Sequence, residues 1–368
     1  MADLTAQPSA GHPQAQATPG LAPRRAPYAS LNVVRVVLAF LVLGYHAGGT
    51  VALEKYFSVS AFDRWLGFVG GPAVAMFFVL SGFVMQLAHG KYIGQFDKCK
   101  PYFWRRFVRV FPTFWAVLLM VLLASLWFPA DVPGDVLSIL KMLLLIPQSQ
   151  GAGGPPGSPL IVVAWTLQYE IVFYLVFGAW IASRALGAAI SLLLLLNAAD
   201  CASGECGPYR EFLSALPMAY FLVGVVAAGV AKRLPPLRAA MPIMWLALAG
   251  YLAVALMRPV PEGQWTWALS GLLCVGLAGV ILVCLVNAED AQAQRPPAVW
   301  VQRLSDASYA MYLLHFPIIS LLCKVLVLAG LQGMLGATLA FALSFGVSII
   351  AALVFHVYIE RRLVAWLK

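Results

Sequence analysis

Residues 31–51 read LNVVRVVLAFLVLGYHAGGTV, an apolar run interrupted by two ionisable side chains, Arg35 and His46. A helix needs about 20 mostly apolar residues to cross a membrane, and this run has that length. Charged groups inside a membrane span are costly and are therefore candidates for function. The segment predicts a membrane-spanning helix that carries part of a functional site.

The composition of the whole chain favours the same class of protein. Of its 368 residues, 62% are hydrophobic and 11% are charged, whereas a soluble domain carries about 25% charged residues. This excludes a soluble globular protein, and the abundance of apolar residues excludes a mainly disordered chain. The apolar residues form long unbroken runs instead of the period-two alternation of a membrane β-barrel. An all-α polytopic membrane protein remains.

Similar apolar runs recur and predict about ten transmembrane helices in one bundle. The predicted spans lie near 31–51, 67–89, 107–129, 161–183, 185–200, 212–231, 239–257, 265–286, 307–330 and 333–358. The run Val136–Ile146 is too short to span and suits an interfacial or re-entrant helix. Residues 1–27 are rich in Pro and Ala without an apolar period, which predicts a disordered cytoplasmic tail before a transmembrane domain at 28–368.

The basic residues predict the orientation of these helices. If the N-terminus faces the cytoplasm, 17 of the 24 Lys and Arg residues fall on the cytoplasmic side and 5 on the opposite side. An excess of Lys and Arg in cytoplasmic loops is typical of membrane proteins, so both termini are expected to be cytoplasmic. The net charge of +9 has the same origin and does not indicate nucleic-acid binding.

The six cysteines do not have the spacing of metal ligands, and no metal is expected. Cys201 and Cys206 fall in a short loop that is predicted to lie on the outer side. In an oxidising compartment they could form a disulfide. A free pair is equally compatible with the sequence, because sequence alone does not fix the Cα geometry of a disulfide.

Arg35 and His46 are expected to share one face of the first helix. Eleven residues correspond to three turns plus about 20°, so the two side chains lie about 16 Å apart along the axis. This places a fixed cation near the inner membrane surface and a titratable imidazole deep in the protein. The alternative is structural: Arg35 extends to the interface and His46 bonds a neighbouring helix.

The segment FWRRFVRVFP at 103–112 carries a basic cluster. Arg105 and Arg106 precede Arg109 by four and three residues, so the three side chains cluster on a helix surface. Guanidinium groups suit phosphate oxygens, and several of them suit a ligand with several phosphates. The alternative is a basic segment that stays at the inner surface and contacts anionic lipids.

Two further polar patterns lie in predicted spans. Glu170 and Tyr174 are one turn apart on the same face. A buried carboxylate needs a partner or a proton, so Glu170 could orient a histidine, pair with an arginine or link two helices. Ser308, Tyr312 and His315 have i, i+4, i+7 spacing, which predicts a polar stripe facing the bundle interior. Packing between helices is the alternative role for the stripe.

Five segments together resemble the acyltransferase-3 family of integral membrane acyltransferases. In chain order, they are the spacing from Arg35 to His46, FFVLSGF at 77–83, the Arg-x-x-Arg element ending at Arg109, WTLQYE at 165–170, and 308–315. The resemblance covers about residues 28–360. One short motif has little specificity, but five in order along a chain of about ten helices are specific. The WTLQYE segment is closest to the exopolysaccharide O-acetyltransferase branch.

The resemblance implies an O-acyltransferase that moves an acyl group, usually acetyl, from cytoplasmic acetyl-CoA or another acyl-CoA to a sugar hydroxyl. The expected acceptor is a cell-surface or exported polysaccharide or its lipid-linked precursor. A bacterial inner-membrane location, contact with membrane lipid, and partnership with proteins of polysaccharide synthesis or export are expected with it.

The same resemblance, with the chemistry of the residues, assigns roles. His46 is the expected general base or transient acyl carrier, because neutral imidazole suits proton removal near pH 7. Arg35 is expected to hold the thioester or to stabilise developing negative charge, and Glu170 to orient a partner. The expected ligands of the CoA phosphates are Arg106 and Arg109, assisted by Arg105, and the expected sugar path is lined by Tyr174, Tyr312 and His315.

Two other classes of protein are alternatives to an enzyme. A proton-coupled secondary transporter also carries His, Arg and Glu within its spans, but this chain has no internal repeat and its polar segments are not placed symmetrically between two halves. A non-catalytic subunit of a polysaccharide export complex would leave the spacing of Arg35 and His46 without a purpose. The acyltransferase is therefore the favoured prediction.

Overall fold

The structure is a computed structural model, and it describes residues 28–127, 135–148, 160–204, 207–257, 264–292 and 296–367. All regular secondary structure in these ranges is helical, as predicted. The α-helices are α1 Ala29–Ala52, α2 Ala61–His89, α3 Cys99–Ala124, α4 Val136–Leu143, α5 Trp165–Ala182, α6 Arg184–Ser203, α7 Pro208–Ser214, α8 Leu216–Ala231, α9 Ala240–Leu256, α10 Gln264–Ala291, α11 Val299–Asp306, α12 Ser308–Leu328, α13 Gly333–Phe355 and α14 Arg361–Trp366. A π-helical turn, His356–Glu360, joins α13 to α14.

Within the described ranges, nine helices are long and apolar enough to cross a membrane. They correspond to nine of the ten predicted spans. The remaining one, 239–257, forms α9, an apolar helix of 17 residues that is shorter than the usual span. The all-α membrane fold is therefore confirmed. The cytoplasmic position of the termini stays a prediction, and the predicted tail at 1–27 lies outside the described residues.

The start of α3 differs most from its predicted boundary. The span was predicted from residue 107, but the helix begins at Cys99. A search for apolar runs stops at charged residues, whereas the backbone continues as a helix through the basic cluster. Pro101 fits the first turn because the N–H groups there have no partner within the helix. Arg105 and Arg109 consequently lie within one continuous helix, which fixes their relative positions.

Two predictions concern short segments. The run after residue 136 forms α4, a helix of eight residues whose N-cap residue Asp135 accepts a hydrogen bond of 2.8 Å from the backbone N–H of Ser138. Cys201 is disulfide-bonded, in agreement with one of the two states that the sequence allows. Its predicted partner, Cys206, lies outside the described residues.

Helix α1 occupies a central place in the bundle, because it contacts α2, α10, α11, α12 and α13. The main apolar core contains buried residues from α1, α2, α3, α5, α8, α9, α10 and α12. Phe83, Phe114 and Phe221 are its largest fully buried side chains. Arg35 and His46 are partly buried on α1, so this arrangement surrounds the two polar side chains with protein.

Two glycines allow α2 and α8 to approach closely. A Cβ added at Gly82 would overlap the carbonyl oxygen of Phe221, and one added at Gly224 would overlap the carbonyl oxygen of Val79. Small residues at such crossings let the backbones of membrane helices touch. The contact holds α2 against α8, and Ser81, which contributes to the site described below, is next to Gly82 in the chain.

We expect Gly224→Ala to destabilise the protein by about 1–3 kcal/mol, because overpacking at a close contact forces the backbones apart. Gly229→Ala on the same helix is the matched control, since its added Cβ would have no neighbour within 4 Å. The control should be neutral or slightly stabilising, because alanine favours a helix more than glycine does. Thermal unfolding of both variants in detergent checks this, and equal midpoints would contradict the close contact.

Candidate active site

The core cavity is a space of about 280 Å³ within the helical bundle. It is lined by residues of α1, α2, α3, α5, α8 and α12. Six of the predicted site residues contribute to this lining, and they are Arg35, Arg106, Arg109, Glu170, Tyr174 and Tyr312. Segments that are far apart in the chain are therefore brought together around one cavity.

The end groove is a larger space of about 850 Å³. It is formed by the first part of α3, the end of α11, the π-helical turn and α14, and Arg105 lies in its lining. Arg35, Arg106 and Arg109 line both the end groove and the core cavity. These three side chains, which we call the arginine collar, mark the junction between the two spaces.

Hydrogen bonds to α11 hold Arg35 in the collar. Its Nη1 donates to Ser305 Oγ over 3.3 Å, and Ser305 Oγ donates to Asn32 Oδ1 over 3.0 Å. Asn32 Nδ2 in turn donates to Gln302 Oε1 over 3.1 Å. Asn32, Gln302 and Ser305 were not predicted as site residues. Asn32 could have been predicted, because it is a polar residue one turn before Arg35 on the same predicted span. Gln302 and Ser305 could not, because nothing in the sequence shows that α11 packs against α1.

Arg106 has partners on two other helices. Its Nη2 lies 3.5 Å from His89 Nε2 on α2, and its guanidinium carbon lies 5.6 Å from the centre of the Tyr174 ring. The Arg106 Nε and His89 Nδ1 atoms are buried without a hydrogen-bond partner. Buried polar groups are normally satisfied, so this pair marks a place where a polar ligand group could bind. His89 was missed because it ends a predicted apolar span.

Glu170 bonds a tyrosine of its own helix and a serine of α2. Glu170 Oε1 accepts hydrogen bonds from the hydroxyl of Tyr174 and, over 3.4 Å, from Ser81 Oγ. Within the described part of the chain, no ion pair involves Glu170. Ser81 lies on α2, so its bond links two helices, which is the third of the roles considered from the sequence. The i, i+4 spacing brings Tyr174 to the carboxylate, so Glu170 orients a phenol in the lining of the core cavity.

His46 and His315 form a hydrogen-bonded pair. His315 Nε2 lies 3.0 Å from His46 Nδ1, and His315 Nδ1 lies 3.1 Å from the carbonyl oxygen of Met311. A carbonyl only accepts, so His315 Nδ1 carries a proton and its Nε2 accepts from Nδ1–H of His46. In a neutral pair, the lone pair of His46 Nε2 is then available to accept a proton.

Tyr312 connects this pair to the core cavity. Its hydroxyl lies 2.7 Å from Thr166 Oγ1 and donates to the carbonyl oxygen of Val163 over 2.8 Å. The Tyr312 ring centre is 5.7 Å from that of His315. His46 and His315 themselves are absent from the lining of both the core cavity and the end groove. His315 was expected to line a sugar path, but it is 1% exposed and bonded to His46.

The chain belongs to an acyltransferase family. The sequence profile of the family described as an acyltransferase domain, acyltransferase 3, matches residues 28–356. With its membrane-spanning helices, the protein is an integral membrane acyltransferase. The family resemblance predicted from five segments is thereby confirmed.

Two characterised proteins are similar over most of their length. The exopolysaccharide production protein ExoZ of Rhizobium meliloti (strain 1021) is 28% identical over 289 residues, which cover 73% of this chain and 81% of ExoZ. The acyltransferase MdmB of Streptomyces mycarofaciens is 27% identical over 335 residues, which cover 81% of this chain and 80% of MdmB. No solved structure matches the chain at a significant level.

Proposed function

We propose that this acyltransferase moves an acyl group, acetyl in the simplest case, from cytoplasmic acyl-CoA to a hydroxyl of a polysaccharide or its lipid-linked precursor. The observation that carries the donor assignment is the arginine collar between the end groove and the core cavity. Guanidinium groups bind phosphates well, and a thioester is attached to the CoA phosphates through a long flexible arm. A cytoplasmic donor, together with relatives from Rhizobium meliloti and Streptomyces mycarofaciens, supports a bacterial inner-membrane location.

The acceptor assignment is supported by one relative. ExoZ is named for exopolysaccharide production, and it aligns with most of this chain. A sugar hydroxyl is a poor nucleophile until a base removes its proton. An exported polysaccharide, or the lipid-linked sugar from which it is made, supplies such hydroxyl groups at the membrane, where proteins of polysaccharide synthesis or export are the natural partners.

In the proposed reaction, His46 Nε2 takes the proton from the acceptor hydroxyl. The hydroxyl oxygen attacks the thioester carbonyl carbon, and the carbon–sulfur bond then breaks to release CoA thiolate, which takes the proton from the imidazolium. Arg35, about 16 Å from His46 along α1, is too far from the reacting carbonyl to stabilise its charge and would hold the donor at the collar instead. The alternative is attack by His46 itself, which would carry the acyl group transiently before the sugar accepts it.

Donor and acceptor are proposed to approach from opposite ends of α1. Arg35 lies six residues after the start of α1, and His46 lies six residues before its end. Each residue is therefore about 9 Å along the axis from the nearer end of the helix. The flexible arm of CoA would span the distance from the collar to His46. Because His46 does not line the core cavity, the acceptor would reach it from the far end of α1.

A transfer assay with the purified protein in lipid vesicles tests the function. The protein is incubated with labelled acetyl-CoA and crude cell-envelope glycans. We expect label that is released by mild alkali to appear in the glycan fraction, as an O-acetyl ester requires. Binding of acetyl-CoA without transfer to any glycan would reject the acceptor assignment, and absence of acetyl-CoA binding would reject the donor and favour the transporter.

His315 is proposed to orient His46 instead of contacting substrate. Replacing His315 with leucine should remove the imidazole that orients the His46 ring, while the backbone bond of His46 to Val42 remains, and should lower kcat about 10- to 100-fold with little change in KM. His315→Gln keeps an acceptor oxygen and should recover most of the rate. Activity and its pH profile in both variants check this, and equal loss in the two would contradict the orienting role.

A further inference from the structure

Helix α14 adds two arginines to the end groove that the family signatures do not contain. Arg361 and Arg362 line this groove together with the arginines of α3. Both residues follow residue 356, where the match to the acyltransferase family ends. The family assignment therefore does not extend to these two arginines, and their role in the groove needs its own explanation.

The π-helical turn joins α14 to α13, and one hydrogen bond joins the end of α14 to α3. The π-helical turn contains a bond of 2.7 Å between His356 Nδ1 and Glu360 Oε2, and it directly precedes α14. At the other end of α14, Trp104 Nε1 donates to the carbonyl oxygen of Leu367 over 3.2 Å. Turns of this type are frequent at functional sites. The C-terminal segment is therefore held in place as one wall of the groove.

The end groove has a strong excess of positive charge. Six arginines line it, namely Arg35, Arg105, Arg106, Arg109, Arg361 and Arg362, against the two carboxylates of Asp306 and Glu360. Glu360 is already bonded to His356, and the ion pairs in the described ranges include none of the six arginines. Arg35 bonds Ser305, Arg106 lies beside His89, and Arg362 lies 5.9 Å from the centre of the Tyr358 ring. Each guanidinium has five N–H donors, so donors remain for an anion. A volume of about 850 Å³ suits a ligand of nucleotide size, since small-molecule pockets measure about 300–1,000 Å³.

We propose that Arg361 and Arg362 bind the phosphate on the terminal ribose of acyl-CoA, at the end of the donor that is farthest from the thioester. This inference rests on the proposed function. Arg106 and Arg109 line both spaces, so they would hold the phosphates nearest the arm that enters the core cavity. Arg361 and Arg362 line the end groove but not the core cavity, so they would bind the phosphate that lies farther from the thioester. The exposed ring of Trp104 offers an apolar face to the adenine.

Comparison of two donors tests the role of α14. Acetyl-pantetheine has the thioester but no phosphate, whereas acetyl-CoA has both. Arg361→Ala/Arg362→Ala should raise KM for acetyl-CoA about 10- to 100-fold, because each charge-assisted contact contributes a large factor, and should leave transfer from acetyl-pantetheine unchanged. The matched control is Arg233→Ala/Arg238→Ala, which removes two exposed arginines between α8 and α9 and should behave as wild type.

Two outcomes would overturn the proposal. Equal loss with both donors would mean that α14 supports the fold only, and an unchanged KM for acetyl-CoA would mean that the two arginines do not contact it. Binding of free CoA and dephospho-CoA is measured separately, and the variant should lose the preference for CoA that the wild type shows. If the wild type bound CoA but transferred nothing, the proposed function would fail while this binding comparison still decided the role of α14.

Discussion

Replacing His46 with alanine should abolish acyl transfer while acyl-CoA continues to bind. General bases contribute about 10²- to 10⁴-fold to a rate, and kcat should fall by that factor. The affinity for acyl-CoA should change little, because His46 is about 16 Å along α1 from Arg35 and lines neither space. The transfer assay with labelled acetyl-CoA gives the rate, and equilibrium binding gives the affinity.

Two further variants test whether the loss of activity is due to the missing base at His46. His46→Gln keeps a polar side chain beside His315 but cannot accept the proton, so it should be as inactive as the alanine variant. Tyr45→Phe removes only the hydroxyl of the neighbouring ring, whose centre lies 5.1 Å from that of His46, and should stay active. Wild-type rates in His46→Ala would reject the base and the acyl carrier together. Without acceptor, label that accumulates on the wild-type protein but not on the His46→Ala variant would identify His46 as the acyl carrier.

Removing two arginines of the collar should produce the second large effect, on the donor. In Arg106→Ala/Arg109→Ala we expect the affinity for acyl-CoA to fall at least about 100-fold, since hydrogen bonds to charged groups contribute about 1.5–3 kcal/mol each. The lysine pair Arg106→Lys/Arg109→Lys should recover part of the affinity, because lysine keeps the charge but lacks the planar fork. Binding of acyl-CoA to the purified variants measures both effects.

The collar prediction needs a check on folding, because Arg106 also contacts His89 and Tyr174. Elution from a sizing column and the unfolding midpoint should match the wild type. The exposed pair Arg233→Ala/Arg238→Ala serves again as the charge control. Transfer by the collar variant at unchanged acyl-CoA affinity would falsify the phosphate assignment.

Much of the fold was accessible from the sequence, because long apolar runs in a membrane have few alternatives to helices. All ten predicted runs form helices, including 185–200, the shortest, which extends from Arg184 to Ser203. Boundaries failed where charged residues belong to a helix, as at the start of α3. Hydropathy measures which residues avoid water, whereas a helix continues wherever its backbone hydrogen bonds continue.

The sequence predicted which side of a helix each site residue occupies, but not which neighbours it meets along the helix axis. Ser308, Tyr312 and His315 do share a side of α12, yet Ser308 and Tyr312 line the core cavity and His315 bonds to His46. Seven residues extend about 10 Å along a helix axis, so the two ends of one stripe meet different neighbours. Helical spacing reports the angle around the axis, and the register between two helices is decided by packing.

The pairing of His46 with His315 was beyond sequence spacing altogether. The two residues are 269 positions apart in the chain, and one sequence contains no record of which helices become neighbours. The link between Arg35 and Ser305 is of the same kind. By contrast, Glu170 and Tyr174 lie on one helix, and the predicted shared face was confirmed by their hydrogen bond.

The arginine collar also bears on how the membrane stays sealed. A groove that continues into a cavity among membrane helices shortens the insulating path for ions. Fixed positive charges in a narrow passage repel cations and protons, as they do in water channels. Arg35, Arg106 and Arg109 lie at the junction of the two spaces, so the side chains proposed to admit an anionic donor would at the same time keep the protein from discharging the proton gradient.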